Sequence, residues 1–386
     1  MHSIFTNSLI YKTLTLFLLL IFIASVIFQL YFIVFVFAKI IWYHSPKITS
    51  EKNQGVSVIV CAWNELENLR ILIPLLNNQK YSSFEIIIIN DRSCDGTHDF
   101  LSLECTQYEK VRFIKIDKTP EHLSSKKYAL TLGIKLANYE NILLTDADCR
   151  PQSSHWISGM AECMTFDKQI VLGFSPYFKE KGFLNGLIRY ETFITATQYL
   201  SFAIKGIPYM GVGRNLMYKK SLFLNNEGFA KHINVLGGDD DLFMNDVAND
   251  KNTTICLDSQ TFMYSFPKTT WKTWYIQKQR HLSVGKYYKL SNKVLLGGLV
   301  FSQITTSILF IILILLINNK LLLSVLVGTF LLKIICQWMV FYKVNKRLDK
   351  TLDTITLLPW DIIFTLYFSV MGINNFFSKK QKLKWR

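Results

Sequence analysis

Asn141-Ile142-Leu143-Leu144-Thr145-Asp146-Ala147-Asp148 is the stretch on which the fold turns. A short apolar run of β-compatible residues ends without a break on two carboxylates separated by one alanine. Such a run reads as a buried strand. Three earlier segments have the same character: residues 56–61, residues 85–89 ending at Asn90-Asp91, and residues 111–116. Helical patterns fill the intervals over residues 66–77, 97–105 and 125–138, the last with Tyr128, Leu132, Ile134 and Leu136 as packing positions. The stretch 92–96 has turn chemistry, with Asp95-Gly96-Thr97 suited to capping the helix that follows. Short continuous apolar strands alternating with helices predict an α/β fold whose mostly parallel sheet is covered on both faces. Ligands of such open sheets sit at the carboxyl ends of the strands. Asp91 and Asp146 both fall there.

Outside this region the chain is far more apolar. No charged residue occurs between Thr13 and Ala38, a run long enough for a helix to cross the roughly 30 Å hydrocarbon core. No small-residue cleavage site follows it, so residues 13–42 are expected to be a retained anchor. Residues 294–317 and 321–342 predict two further spans, joined at Asn318-Asn319-Lys320. The second contains Lys333, which must snorkel or face protein. A third segment, 352–377, is expected to be interrupted at Pro359-Trp360-Asp361, and either to be re-entrant or interfacial, the preferred choice, or to cross fully against the charge rule. The expected organisation is therefore an anchor (13–42), a soluble domain (55–267), an aromatic and basic interfacial region (268–292), a membrane region (293–376) and a basic tail (378–386).

Half of the 386 residues are hydrophobic and the net charge is +15. The excess is confined to one third: from Lys268 onward there are 18 Lys/Arg against 3 Asp, while residues 1–267 carry 25 of each sign. Basic residues interleaved with membrane spans fit anionic headgroups and the positive-inside rule, and they argue against a nucleic-acid partner. Lys12 precedes the anchor, whereas Lys39, Lys47 and Lys52 follow it. This predicts an integral protein of the inner or plasma membrane, its N-terminus outside and its soluble domain in the cytosol. Seven cysteines without a framework or metal spacing suit reduced thiols there. Cys149, beside the carboxylate pair, reads as a small packing residue.

Four motifs carry chemistry. Asp146 and Asp148, in a tight turn after a strand, can reach a hard divalent cation such as Mg²⁺ or Mn²⁺, whose shell substrate phosphates complete. Alone, an Asp-x-Asp triplet is a common surface turn; its place after a buried strand distinguishes it. Asp91 can accept from a uracil imide N–H, the plain alternative being a cap. Asp239-Asp240-Asp241 follows Gly237-Gly238. Three adjacent carboxylates in a cleft raise one another's pKa and supply a general base, although an acidic turn would also look this way. Gln277 and Arg280, at i and i+3, share one helix face and can clamp a diphosphate. Lys278 and Lys286 read as an ordinary basic interfacial surface.

In this order, Val58-Ile59-Val60-Cys61-Ala62-Trp63-Asn64-Glu65, Asn90-Asp91, Asp146-Ala147-Asp148, Asp239-Asp240-Asp241 and Gln277-x-x-Arg280 resemble the family 2 glycosyltransferases. The likeness is to their membrane-integrated branch, which includes cellulose synthase, hyaluronan synthase and ceramide glucosyltransferase, and it covers residues 55–285. Lys126 with Ala129-Leu130 matches the helix before the metal motif. Gly211-Val212-Gly213-Arg214-Asn215 with Gly228-Phe229 resembles the acceptor-side loop. The resemblance implies a GT-A fold and inverting, metal-dependent transfer from a nucleotide-sugar, UDP-linked, to a lipid or glycan acceptor. It implies donor contacts from Glu65, Asp91, Lys126, Asp146, Gln277 and Arg280, and metal ligation by Asp146 and Asp148. The base lies in the family's acidic pair. Alignment on Asp241-Leu242 makes it Asp239, the preferred choice, and alignment on the preceding glycine makes it Asp240. His281 stands where the family's Gln-x-x-Arg is followed by Trp, which favours a single transfer over processive polysaccharide synthesis. A non-catalytic membrane scaffold is the remaining alternative, and the retained carboxylates count against it.

Overall fold

The computed structural model describes residues 2–46, 54–120 and 123–377. Lys47, Lys52 and the basic tail, on which part of the topology expectation rests, lie outside them.

The soluble part is built on a seven-stranded sheet of order β3-β2-β1-β4-β7-β6-β8. Its strands are β1 (Val56–Ala62), β2 (Phe84–Asp91), β3 (Val111–Ile116), β4 (Asn141–Asp146), β6 (Ile170–Leu172), β7 (Leu216–Lys219) and β8 (Thr253–Ile255). The first four are parallel neighbours, β7 runs antiparallel to β4 and β6, and β6 is parallel to β8. A short antiparallel pair, β5 (Cys149–Pro151) with β9 (Met263–Ser265), stands apart.

The period of two along the strands explains why both faces are covered. Ile59, Ile87 and Ile89 pack against Ala129 and Ile134 of one helix, Ser125–Leu136. The alternate residues Val58, Val60, Ile86 and Ile88 pack against Leu69, Leu72 and Ile73 of another, Leu66–Asn77, on the opposite face. The first of these helices lies very close to the sheet. A Cβ on Gly133 would come within 2.9 Å of Ile59. The register aligns Cys61 with both Ile89 and Asp146, so β1, β2 and β4 end at one edge.

Among the described residues, four helices are long and apolar enough to cross a membrane, over Ile10–Trp42, Leu290–Leu316, Lys320–Arg347 and Thr354–Gly372. Gln29 of the first donates to the Ser302 carbonyl and the Thr306 hydroxyl of the second at 3.0 and 2.7 Å. Such bonds fasten apolar helices that have no hydrophobic incentive to associate in lipid. Asn319 caps the third helix by accepting from Leu321 and Leu322. Lys333 is buried against protein, one of its two expected environments. The break expected at Pro359 does not occur: helix Leu357–Phe377 is continuous. Proline sits in its first turn, where the missing N–H would have had no intrahelical partner. Asp361, buried just beyond that turn, accepts from the Tyr190 hydroxyl at 2.9 Å.

Candidate active site

The carboxylates of two of the predicted motifs, Asp146/Asp148 and Asp239–Asp241, line one cavity at the carboxyl edge of the sheet, whereas Asp91 and Glu65 are not among the residues lining it. Lys126, on the helix preceding β4, joins two of them: its Nζ lies 3.1 Å from Asp146 Oδ1 and 3.1 Å from Asp239 Oδ2. Burial opposes charge on Lys126, but Asp146, Asp239 and Asp240 outweigh it and raise the ammonium pKa well above its ordinary value. The adjacent Lys127 works from behind the loop. Its Nζ donates to the carbonyls of His232 and Val235, anchoring the segment that leads into the acidic cluster.

Within that cluster the three aspartates have different environments. Burial works to raise Asp239, and the Lys126 ammonium overrides it and holds the carboxyl low. Asp240 is raised by burial and by the charge of Asp239. Its two oxygens are oriented by backbone donors, Gly213 N at 2.7 Å and Asp241 N at 2.8 Å. Asp241 is raised well above its usual range by burial and Asp240, and it accepts from the Tyr288 hydroxyl at 3.1 Å. Gly237 and Gly238 before them have φ of 85° and 72°, open to glycine without strain. A Cβ on Gly238 would meet Leu242 at 2.7 Å.

Asp148, on the turn after β4, is raised by burial and by Asp146, with Arg214 and Lys268 opposing. Two hard oxygen donors under mutual repulsion suit a divalent cation. Among the described residues no group of three or more His, Cys, Asp or Glu side chains could hold one. The two carboxylates are the donor type that an ion such as Mg²⁺ or Mn²⁺ takes in ones or twos, its shell being filled with water and phosphate. Glu65 precedes helix Leu66–Asn77 and accepts from Asn68 at 2.6 Å; burial raises its pKa. Asp91 ends β2, both of its oxygens engaged by Arg92. Asp95 caps as expected, accepting from Thr97 N and from Leu66 N. Cys149 is buried, in a packing position, and all seven cysteines are free.

Gln277 and Arg280 lie on helix Trp271–Val284 and line the same cavity as Lys126, Asp146, Asp148 and Asp239, a space of ≈ 620 Å³. The cavity continues between the apolar helices past Gln29, Leu299, Gln303, Phe341 and Phe364. His281 opens onto it, and enclosure by the cleft together with Lys278 and Arg280 drives its pKa well below the usual value.

One expectation fails here. Lys278 is not an ordinary basic surface residue; it forms a 2.8 Å ion pair with Glu191, the side chains being 14% and 9% exposed. Its ammonium also lies 4.2 Å from the Trp274 ring centroid. Glu191 belongs to helix Phe183–Ile204, and nothing local to residue 278 signals a partner 87 positions away. Arg214 was seen only as part of a loop pattern. It stacks over Tyr177 at 4.3 Å and faces the Asp146/Asp148 pair electrostatically. A basic residue between glycine and asparagine is the only sequence signal it gives.

Residues 57–225 match the glycosyl transferase family 2 profile. The hyaluronan synthase of Pasteurella multocida is 30% identical over 158 residues, which make up 39% of this chain and 16% of that protein. The poly-beta-1,6-N-acetyl-D-glucosamine synthase of Staphylococcus epidermidis is 30% identical over 102 residues, 26% of this chain and 24% of that one. The aligned stretches thus span less than a quarter of either relative. A mannosyltransferase from Pyrobaculum calidifontis, solved with GDP-Man and Mn²⁺, superposes with a TM-score of 0.54 at 15% identity, over 94% of this chain and all of that one. That likeness bears on the fold, which is GT-A-like. The likeness to glycosyl transferase family 2 is thus one of the domain at residues 57–225.

Proposed function

We propose that the protein is an inverting, metal-dependent glycosyltransferase. It moves one sugar from a nucleotide-sugar, UDP-linked by family resemblance, to the hydroxyl of a lipid-linked or membrane-proximal acceptor. The observation that carries this is the single cavity that gathers Asp146, Asp148, the Asp239–Asp241 cluster and Gln277/Arg280 and then runs on between the apolar helices. Such a space lets a donor enter from water and an acceptor from the membrane.

In this reading Asp240 is the base. Its two oxygens are fixed by backbone N–H groups, its pKa is raised, and it lies beside the Gly213 loop. Those are the attributes of an oriented proton acceptor. Asp239, held charged by Lys126, is the weaker candidate. The acceptor O–H proton passes to the Asp240 carboxylate as the oxygen bonds to the anomeric carbon. The bond from that carbon to the diphosphate breaks, and a nucleoside diphosphate leaves. Asp146 and Asp148 would hold a Mg²⁺ or Mn²⁺ ion, which when bound supplies Lewis-acid neutralisation of the leaving diphosphate. Lys126, Gln277 and Arg280 add fixed donors toward the same charge. Glu65 and Asp91 stand at the nucleoside side of the strand edge.

The basic excess from Lys268 onward supports a cytosolic catalytic face of the inner or plasma membrane. The test is donor hydrolysis by the purified protein with Mn²⁺ or Mg²⁺. We expect turnover in wild type, loss on chelation and loss in Asp148→Ala. Equal silence of wild type and variant across a donor panel sinks the reading. A second reading, processive synthesis with extrusion of the glycan, draws on the extension of the cavity between the helices and on the two synthases among the relatives. Sustained polymer from donor alone would establish it.

A further inference from the structure

The first and third apolar helices leave a groove of ≈ 230 Å³ between them. Its wall on the first helix is Val34, Ala38, Ile41 and Trp42, and on the third Cys336, Met339, Val340 and Lys343. Each set follows one helix face, and every member but the last lysine is apolar or a thiol. The first helix is π-wound over Phe32–Phe37, so that Ala38 N donates to the Ile33 carbonyl five residues back at 3.1 Å. Such interruptions of an α-helix recur at functional sites. Ala38, small and 3% exposed, is the floor. Arg347 donates from Nη2 to the Tyr43 carbonyl at 3.2 Å, so the two helices end at the same level. Trp42, 66% exposed, and Lys343 therefore stand together at one end of the groove. From there back to Cys336 the third helix runs about 10 Å into its apolar length. The charged end is one-sided. Lys39, Lys343 and Lys346 are all exposed, and neither residues 1–46 nor residues 320–348 contain an Asp or Glu. Among the described residues none of the three lysines has an ion-pair partner.

We propose that this groove is a binding site for an anionic phospholipid, one acyl chain lying between the two helices and the headgroup phosphate on Lys343, with Lys346 one turn further on. The chemistry selects the ligand. A soluble anion has no use for an apolar trough, and a zwitterionic lipid brings its own cation up to the lysines. A negatively charged amphiphile satisfies both ends, with the Trp42 ring at headgroup level. The site shares no wall residue with the cavity of the candidate active site, which takes Phe32, Ile33 and Phe37 from the first helix instead. The proposal rests on these helices crossing a membrane and is independent of the transferase reading.

Quenching of Trp42 fluorescence by lipids brominated in the acyl chain tests this. The full chain is placed in nanodiscs of mixed composition, and the Trp42 contribution is the difference between the protein and its Trp42→Phe variant. That contribution should be half-quenched at a lower mole fraction of brominated phosphatidylglycerol than of brominated phosphatidylcholine with the same chains. Lys343→Gln should raise the phosphatidylglycerol fraction needed by about fivefold, the effect of one lysine near a charged headgroup, and leave phosphatidylcholine where it was. Combining Lys343→Gln with Lys346→Gln should bring the two lipids together. Glycerol phosphate, a headgroup without chains, should not relieve the quenching. Equal quenching of the unsubstituted protein by both lipids overturns the proposal and makes the groove ordinary lipid-facing surface. A preference that survives in the double variant overturns the part given to the lysines, and relief by glycerol phosphate overturns the part given to the groove.

Discussion

The acidic cluster shows how three identical side chains acquire different chemistry from their neighbours. Asp239 faces an ammonium, Asp240 faces two amides, and Asp241 faces a phenol. If Asp240 is the base, Asp240→Asn should lower kcat roughly 10²–10⁴-fold while nucleotide affinity measured by titration stays within error. The pH profile follows from the same contacts. A base must be deprotonated, so with its pKa raised the acidic limb of kcat lies above the ordinary carboxylate range. Asp239→Asn removes a negative neighbour and frees the positive charge of Lys126. Both changes lower the pKa of Asp240, so the limb should move to lower pH in that variant. An upward shift would assign the limb to another group. Asp146, Asp148 and the Asp239–Asp241 run could be found in the sequence because strand ends and adjacent carboxylates are local patterns. The bond from Gly213 N that orients Asp240 spans 27 positions and leaves no local trace.

At the level of elements, the Glu191–Lys278 pair ties the helix bearing Gln277 and Arg280 to helix Phe183–Ile204. Both charges are largely out of water. Lys278→Met leaves an unpaired carboxylate and should destabilise the protein by about 3 kcal/mol. Adding Glu191→Gln should restore most of the loss, as read by thermal unfolding in matched detergent. If the double variant is no better than the single, the pair does not carry the energy assigned to it. The four parallel strands and the helices on either face were legible because each is long enough to show a period. β5, β6, β8 and β9 are three residues each, too short for alternation to register. Their positions are set by pairing to distant strands. Pro359 misled for a related reason: its effect depends on its place within a helix whose start was not visible.

Across the whole molecule, the cavity joins the sheet edge to the apolar helices, so those helices should matter for activity. Gln29→Leu removes the two bonds to Ser302 and Thr306. Pair energies of this kind average about 0.6 kcal/mol, so the folded state should persist with a small drop in thermal stability. If the soluble domain is cytosolic, the basic last turn of the third apolar helix, Lys346 and Arg347, should be cytosolic too, and this has its own check. A cysteine introduced at Lys346 in a background lacking exposed thiols should react with an impermeant maleimide only in inside-out vesicles. Labelling of intact cells would reverse the assigned orientation.

Phe32, Ile33, Val36, Phe37 and Ile40, at the end of the first apolar helix, belong to the same continuous core as Phe202, Tyr209 and the sheet residues Ile59 and Ile142. Anchor and catalytic part are thus not severable modules joined by a tether. A truncated protein limited to residues 55–267 would expose the aromatic surface that those five residues cover. It should accumulate as insoluble material. Co-production with a separate peptide spanning residues 10–46 should rescue part of it, so that the leading helix behaves as an intramolecular chaperone as much as a mooring.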